Sequence, residues 1–127
     1  MSDSNLTQFQ GRKYLNLETF RKNGQGVPTT VWFAESEGVL YVRTLANSGK
    51  VKRIRNGGIV RIVPSDAIGS PLGDWIEGRA YFMDENDAQK ISRLFNRKYG
   101  FQKTLFDLVN RFNKGKWETI AIEINSI

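Results

Sequence analysis

Thr44-Leu45-Ala46-Asn47-Ser48-Gly49-Lys50-Val51-Lys52-Arg53-Ile54-Arg55 is the stretch on which the reading of this chain turns. A strand ends at Thr44, the chain turns, and a short basic helix begins behind Ser48. The Ser48 hydroxyl can accept a hydrogen bond from a backbone N–H two or three residues on, which caps the helix. The remaining N–H groups of the first turn favour an anion, and Lys50, two residues past the cap, is placed to reach it. Val51 and Ile54, three apart, can anchor the helix, leaving Lys52, Arg53 and Arg55 on more exposed faces. With Arg43, five cationic side chains fall within thirteen residues. The pattern suits a phosphate seat and, equally, a solvated linker helix.

Working outward, the upstream chain reads as a meander. Residues 14–20 alternate, and the segment 21–26 carries the Asn23-Gly24 signal of a hairpin turn. Residues 27–34 are β-branched and aromatic, with Pro28 near the start where a missing N–H is tolerated. After a turn at 35–38, residues 39–44 form a third strand, with Leu40, Val42 and Thr44 on one face and Val39, Tyr41 and Arg43 on the other. A short amphipathic helix over 5–12, using Leu6 and Phe9, precedes the meander and ends at Gly11.

Downstream, Asn56-Gly57-Gly58 ends the basic helix. Residues 59–63 are almost continuously apolar and read as a central fourth strand, closed by Pro64. A loop over 65–74 contains Gly69, Pro71 and Gly73, and residues 75–82 alternate as a fifth strand. Trp75 at its entrance is either a core residue or a stacking surface for a planar ligand. Asp84-Glu85-Asn86-Asp87 opens a helix whose apolar stripe is Ala88, Ile91, Leu94 and Phe95, ending at Tyr99-Gly100. A second helix is expected over 103–113, and residues 117–124 form a sixth strand with Ile120, Ile122 and Ile124 on one side. Strands early, helices inserted and a strand last describe one mainly-β domain over residues 1–127, an antiparallel six-stranded β-barrel with helices.

Composition narrows the chemistry. Nineteen Lys and Arg against thirteen Asp and Glu give a net charge of +6, which favours phosphorylated cofactors or nucleic acid as partners. There is no Cys and no His. Disulfides, Cys/His zinc sites, thiol nucleophiles, imidazole triads and haem held by an axial His from this chain are therefore excluded. Carboxylate, Lys, Arg, Tyr and hydroxyl groups remain, a set suited to a cofactor that carries the reactivity itself. No metal site is expected. The start of the chain lacks a cationic segment followed by an apolar one, and no run is long enough to span a membrane, so a cytoplasmic location is expected. At 127 residues, a site shared across a dimer interface is the expected arrangement for an enzyme.

The order of these features carries a resemblance. Thr30-Val31-Trp32-Phe33, a strand ending in Thr44, Ser48-Gly49-Lys50, the basic helix, Arg55-Asn56-Gly57-Gly58, and Gly73-Asp74-Trp75-Ile76-Glu77-Gly78-Arg79-Ala80 follow one another from about Tyr14 to Glu123. The series resembles the flavin-binding split β-barrels of the pyridoxamine 5'-phosphate oxidase superfamily, and within it the branch of deazaflavin (coenzyme F-420)-dependent oxidoreductases. The resemblance implies FMN or coenzyme F-420 as cofactor and a homodimer with two interface sites. It further implies that Thr29, Thr30, Val31, Trp32 and Phe33 line the ring and that Thr44, Ser48 and Lys50 hold the phosphate, with Lys52 assisting. Trp75 would approach from the partner subunit. True pyridoxamine phosphate oxidases grip their substrate with an Arg- and His-bearing C-terminal extension, and this chain has no His, so vitamin B6 oxidation is not expected.

The expected activity is hydride transfer between a reduced flavin or deazaflavin and a small, planar organic substrate. Tyr41, Tyr81 and Glu77 are available to carry protons, but none is assigned a catalytic role. A flavin- or tetrapyrrole-binding carrier on the same barrel is the alternative. Nucleic-acid binding through the basic helix ranks below both, because the aromatic residues fall in alternating patterns that read as core.

Overall fold

The computed structural model describes residues 6–99 and 117–124. The helix expected over 103–113 lies outside the described residues. Six strands run β1 (Tyr14–Phe20), β2 (Gly26–Ser36), β3 (Val39–Leu45), β4 (Ile59–Ser65), β5 (Ile76–Phe82) and β6 (Trp117–Ile124). Helix α1 (Gly49–Asn56) lies between β3 and β4, and helix α2 (Glu85–Tyr99) follows β5. The strands close into a barrel in the order β1-β2-β3-β6-β5-β4, and every neighbouring pair is antiparallel. No helix among the described residues is long and apolar enough to cross a membrane.

Period-two alternation builds the interior. Leu15 and Leu17, Phe33, Leu40 and Val42, Val60 and Ile62, Ala80, and Ile120 and Ile122 all point inward and are buried. Each fully buried aliphatic or Phe side chain contributes about 1.5–3 kcal/mol relative to exposure. Phe9, from the turn that follows the helical residues 6–7, plugs one end and meets Phe33 edge-to-face at 5.8 Å. The opposite faces of β2 and β6 carry α2. There Ile91, Phe95 and Tyr99 pack with Ala34, Trp32 and Tyr41 in a second apolar cluster.

Turn chemistry fixes the meander. Ser36 pairs with Val39 across a two-residue turn in which Glu37 (φ 51°) and Gly38 (φ 81°) both take positive φ, the geometry that matches strand twist. Gly24 (φ 89°) closes the β1–β2 loop, where Arg21 N–H donates to Gln25 C=O at 2.9 Å.

Several details depart from the sequence reading. Among the described residues, the helix expected over 5–12 is helical only at 6–7 and passes into a turn over 8–11. The second strand is longer than 27–34. The fourth strand runs through Pro64, because β5 pairs with β4 only between Ile59 and Ile62. Beyond that point the edge turned away from β1 meets the loop, where Leu72 N–H donates to Pro64 C=O at 2.7 Å, so the imide nitrogen interrupts no β4–β5 ladder. Arg53, expected on an exposed face of α1, instead bonds the buried Thr19 hydroxyl of β1 at 2.6 Å and fastens the helix to the barrel.

Candidate functional site

The barrel is split on one side. Along β2, Gly26 to Trp32 pair with β1, whereas only Phe33 to Ser36 pair with β3. Along β3, Arg43, Thr44 and Leu45 pair with β6 alone. The two strands therefore diverge beyond the Phe33–Val42 pair and leave a cleft of about 400 Å³. Thr30, Val31 and Trp32 form one lip, and Arg43, Thr44 and Leu45 form the other. Ser48 and Lys50 close the α1 end, while Tyr14, Ala67, Phe95 and Trp117 complete the walls. The size falls in the range of small-molecule and cofactor pockets.

The α1 end is a polar seat. Ser48 is extended (φ −71°, ψ 159°) and caps α1, its hydroxyl accepting the Val51 N–H at 3.4 Å. The Thr44 hydroxyl, pointing to the same side, stands 3.5 Å from that of Ser48. Val51 and Ile54 are buried and hold the helix start in place. Lys50 is half-buried in the cleft wall, and among the described residues nothing pairs with or accepts a hydrogen bond from its ammonium. Burial, and secondarily the Arg53 guanidinium, pull its pKa below the ordinary lysine value. A half-desolvated cation beside a capped helix start is stabilised by an incoming anion.

The opposite end is aromatic. Trp32 stacks on Tyr99 at 4.6 Å with their planes 8° apart, and Tyr99 stacks on Phe95 at 5.6 Å. The Tyr99 hydroxyl accepts the Phe33 N–H at 2.9 Å and also lies against Phe33 C=O and Lys13 C=O. Burial pushes its pKa far above the usual phenol value. Lys98 adds a bond from its ammonium to Phe33 C=O at 2.9 Å, and burial lowers its pKa to about 8. The backbone of β2 is thus gripped where the split begins. On the other lip, Arg43 donates to Ser92 Oγ of α2 at 3.3 Å, and its guanidinium lies 5.9 Å from the centre of the Trp117 ring.

The loop between β4 and β5 forms a third wall. Asp66 Oδ1 accepts the N–H groups of Ile68 (3.1 Å) and Ser70 (2.8 Å), and Asn16 Nδ2 donates to Gly69 C=O at 2.6 Å. Asn16 Oδ1 accepts the Thr30 hydroxyl at 3.1 Å, so loop and lip are one network, with Ala67 facing the cleft.

Of the residues expected from sequence, Thr30, Val31, Trp32, Thr44, Ser48 and Lys50 come together on this cleft. Thr29, Phe33, Lys52 and Trp75 are not among its lining residues. Phe33 points into the barrel core, Lys52 is exposed on α1, and Trp75 lies under the Arg61 guanidinium, 5.2 Å away, at the start of β5. Tyr41, Tyr81 and Glu77 also lie off the cleft. Sequence reasoning assigns no site role to Tyr14, Leu45, Ala67 or Trp117, reads Phe95 only as part of the apolar stripe of α2, and counts Arg43 only as one cation among five. The signal for Trp117 was available: it precedes Ile120 by three residues and so stands on the face of β6 that Arg43 occupies on β3. Among the described residues no group of acidic side chains could hold a metal ion.

Solved structures share this architecture at low sequence identity. A protein from Listeria innocua, provisionally named a pyridoxamine 5'-phosphate oxidase, superposes with a TM-score of 0.68 at 15% identity, covering 98% of this chain and 94% of its own. An F420 reductase superposes with a TM-score of 0.61 at 18% identity over 95% and 93% of the two chains. HutZ, the haem storage protein of Vibrio cholerae, gives 0.68 at 14% identity over 98% and 91%. No family profile and no curated protein sequence matches the chain. The fold is that of the pyridoxamine 5'-phosphate oxidase-like split barrels.

Proposed function

We propose that the cleft binds a flavin-type cofactor, FMN or coenzyme F-420, and that the protein is an oxidoreductase acting on a small organic substrate. The observation that carries this reading is the cleft itself. One opening in the barrel joins Lys50, half-buried beside the capped start of α1 and unpaired among the described residues, to an apolar wall built from Val31, Trp32 and Phe95. That is the polarity of a phosphorylated molecule with a flat ring. The same fold in an F420 reductase supports the choice.

When bound, the ring system supplies the hydride chemistry. The chain supplies position. Lys50, Ser48 and Thr44 would hold the phosphate, and Thr30, Val31 and Trp32 would flank the ring. Tyr99 and Lys98 keep the β2 lip rigid, so the ring is oriented without reorganisation at each turnover. The apolar wall excludes water from one side. Trp75 enters as a contribution from the second subunit of a homodimer. The test is side-by-side titration with FMN and coenzyme F-420, following cofactor fluorescence. Saturable quenching or shift by one of them supports the reading, and no change with either refutes it.

A carrier role is the second reading, favoured by the shared fold of the haem storage protein. An imidazole ligand cannot come from this chain, which has no His. An enzyme should accelerate oxidation of its reduced cofactor by an added quinone such as menadione, whereas a carrier should bind the cofactor without doing so.

A further inference from the structure

Ala67 lines the rim of the cleft, exposed, in the turn between β4 and β5. Asp66 ties that turn on itself: its N–H donates to Ser70 C=O at 3.2 Å, and its carboxylate accepts the N–H groups of Ile68 and Ser70. The turn is also tied to the sheet. Asn16 and Thr30 are register partners on β1 and β2, two residues along from Tyr14 and Trp32, which line the same cleft. The Asn16 side chain is buried, with 6% exposure, and its amide nitrogen donates to Gly69 C=O at 2.6 Å. A carbonyl can only accept, so the amide oxygen is left to face the Thr30 hydroxyl at 3.1 Å, and that hydroxyl donates. We infer that Asn16 is a positioning residue and that Ala67 is the specificity residue it positions: the amide clamps the Asp66–Gly69 turn to the β2 lip, so the side chain at 67 sets the width of ring the cleft admits. The ring itself comes from the cofactor reading, on which this inference rests.

A surface loop ordinarily yields to a larger side chain by moving aside. Here, moving aside breaks the Asn16–Gly69 bond and strands a buried amide without its acceptor, so the turn resists. The fit is also close, since a Cβ at Gly69 would stand 2.7 Å from the Thr30 hydroxyl oxygen. Ala67 presents only a methyl group to the cleft. The wall is therefore smooth enough for a flat, unbranched ring, whereas a branched or aromatic residue at 67 takes up the space of the ring's edge. Because Ala67 is exposed, enlarging it leaves the barrel core untouched.

The test is FMN titration, followed by flavin fluorescence, of Ala67→Val and Ala67→Phe, each alone and combined with Asn16→Ala or Asn16→Asp. Affinity should fall in the order Ala, Val, Phe, with Ala67→Phe about tenfold or more weaker than wild type, the scale of overpacking at a rigid site. Riboflavin should lose the same factor, because the phosphate end is not involved. With Asn16→Ala the penalty of Ala67→Phe should shrink at least about threefold, since the freed turn can move aside. Asn16→Asp nearly keeps the shape of the side chain and still accepts from Thr30, but its carboxylate has no N–H for Gly69. It should shrink the penalty as well, and it decides the matter if Asn16→Ala does not fold. A purely structural Asn16 would weaken binding by one factor throughout and leave the Ala67→Phe penalty unchanged. The inference is overturned if Ala67→Phe binds FMN as wild type does, or if the penalty is unchanged in either folded Asn16 variant. If FMN does not bind wild type at all, the cofactor reading fails, and the same series is read with the aromatic anion anilinonaphthalene sulfonate. A graded loss of that probe with the size of residue 67 still supports the gauge, and no binding or no dependence on residue 67 overturns it.

Discussion

Tyr99, the last residue of α2, holds the backbone of Phe33, sixty-six residues earlier in the chain, by accepting its N–H at 2.9 Å. Phe33 is the residue at which β2 stops pairing with β3, so this bond sits at the apex of the split. The Tyr99 ring also lies flat under Trp32. Tyr99→Phe keeps the stack and removes the hydroxyl, leaving buried backbone groups unsatisfied, which costs about 1–3 kcal/mol. Urea denaturation should show that loss, and near-UV circular dichroism should show little change in the Trp32 environment. An unchanged denaturation midpoint would mean that the hydroxyl does not hold the lip.

Gly69 has φ +93°, and a Cβ there would stand 2.7 Å from the Thr30 hydroxyl oxygen. Gly69→Ala therefore combines an unfavourable backbone conformation with a clash on the cleft lip. Destabilisation of roughly 1 kcal/mol or more is expected, with weaker cofactor binding because Thr30 must shift. Thermal unfolding and a cofactor titration on the same sample check both halves. A variant as stable as wild type would show that the loop relaxes freely.

Much of the barrel was legible because alternation is a local signal. Leu40, Val42 and Thr44 fall on the buried face of β3, and Ile120 and Ile122 face the core of β6, as their spacing requires. The Ser48 cap and the Val51–Ile54 anchor were equally local. The cleft was legible only in part, because its walls are set by where two strands separate and which helix covers them. Phe95 read as a helix core residue, and it is one, but it also reaches the cleft. Arg53 read as exposed because nothing near it in the sequence announces Thr19 of β1.

Ser48 caps α1, and the proposed reading also places it at the phosphate end; substitution separates the two roles. Ser48→Ala removes the cap of α1 and should cost about 1 kcal/mol of stability, as cap removals do. Ser48→Asp should restore the cap yet place a negative charge beside the anion seat. The expected pattern is full stability in the Asp variant with cofactor affinity below that of the Ala variant. Tighter FMN binding by the Asp variant than by wild type would remove Ser48 from the phosphate end.

The lowered pKa of Lys50 sets a pH dependence. Burial favours its neutral form, so in the ligand-free protein the cation is lost below the ordinary lysine value of 10.5. Phosphate binding favours the charged form and is coupled to proton uptake once pH exceeds that lowered value. FMN affinity should therefore fall as pH rises toward 10.5, while riboflavin affinity, without a phosphate, changes little. In Lys50→Arg the fall should vanish, because the guanidinium stays charged. A parallel decline for FMN and riboflavin would assign the effect to another group.

The most direct measurement is the ratio of FMN to riboflavin affinity in wild type and in Lys50→Gln. The two ligands differ only by the phosphate, so the ratio reads the polar end of the cleft and cancels contributions from the ring. If Lys50, Ser48 and Thr44 form the phosphate seat, wild type prefers FMN, and Lys50→Gln loses about 1.5–3 kcal/mol of that preference, roughly ten- to a hundredfold. Equal binding of FMN and riboflavin by wild type, or a preference untouched in Lys50→Gln, would contradict the assignment of this cleft to a phosphorylated cofactor.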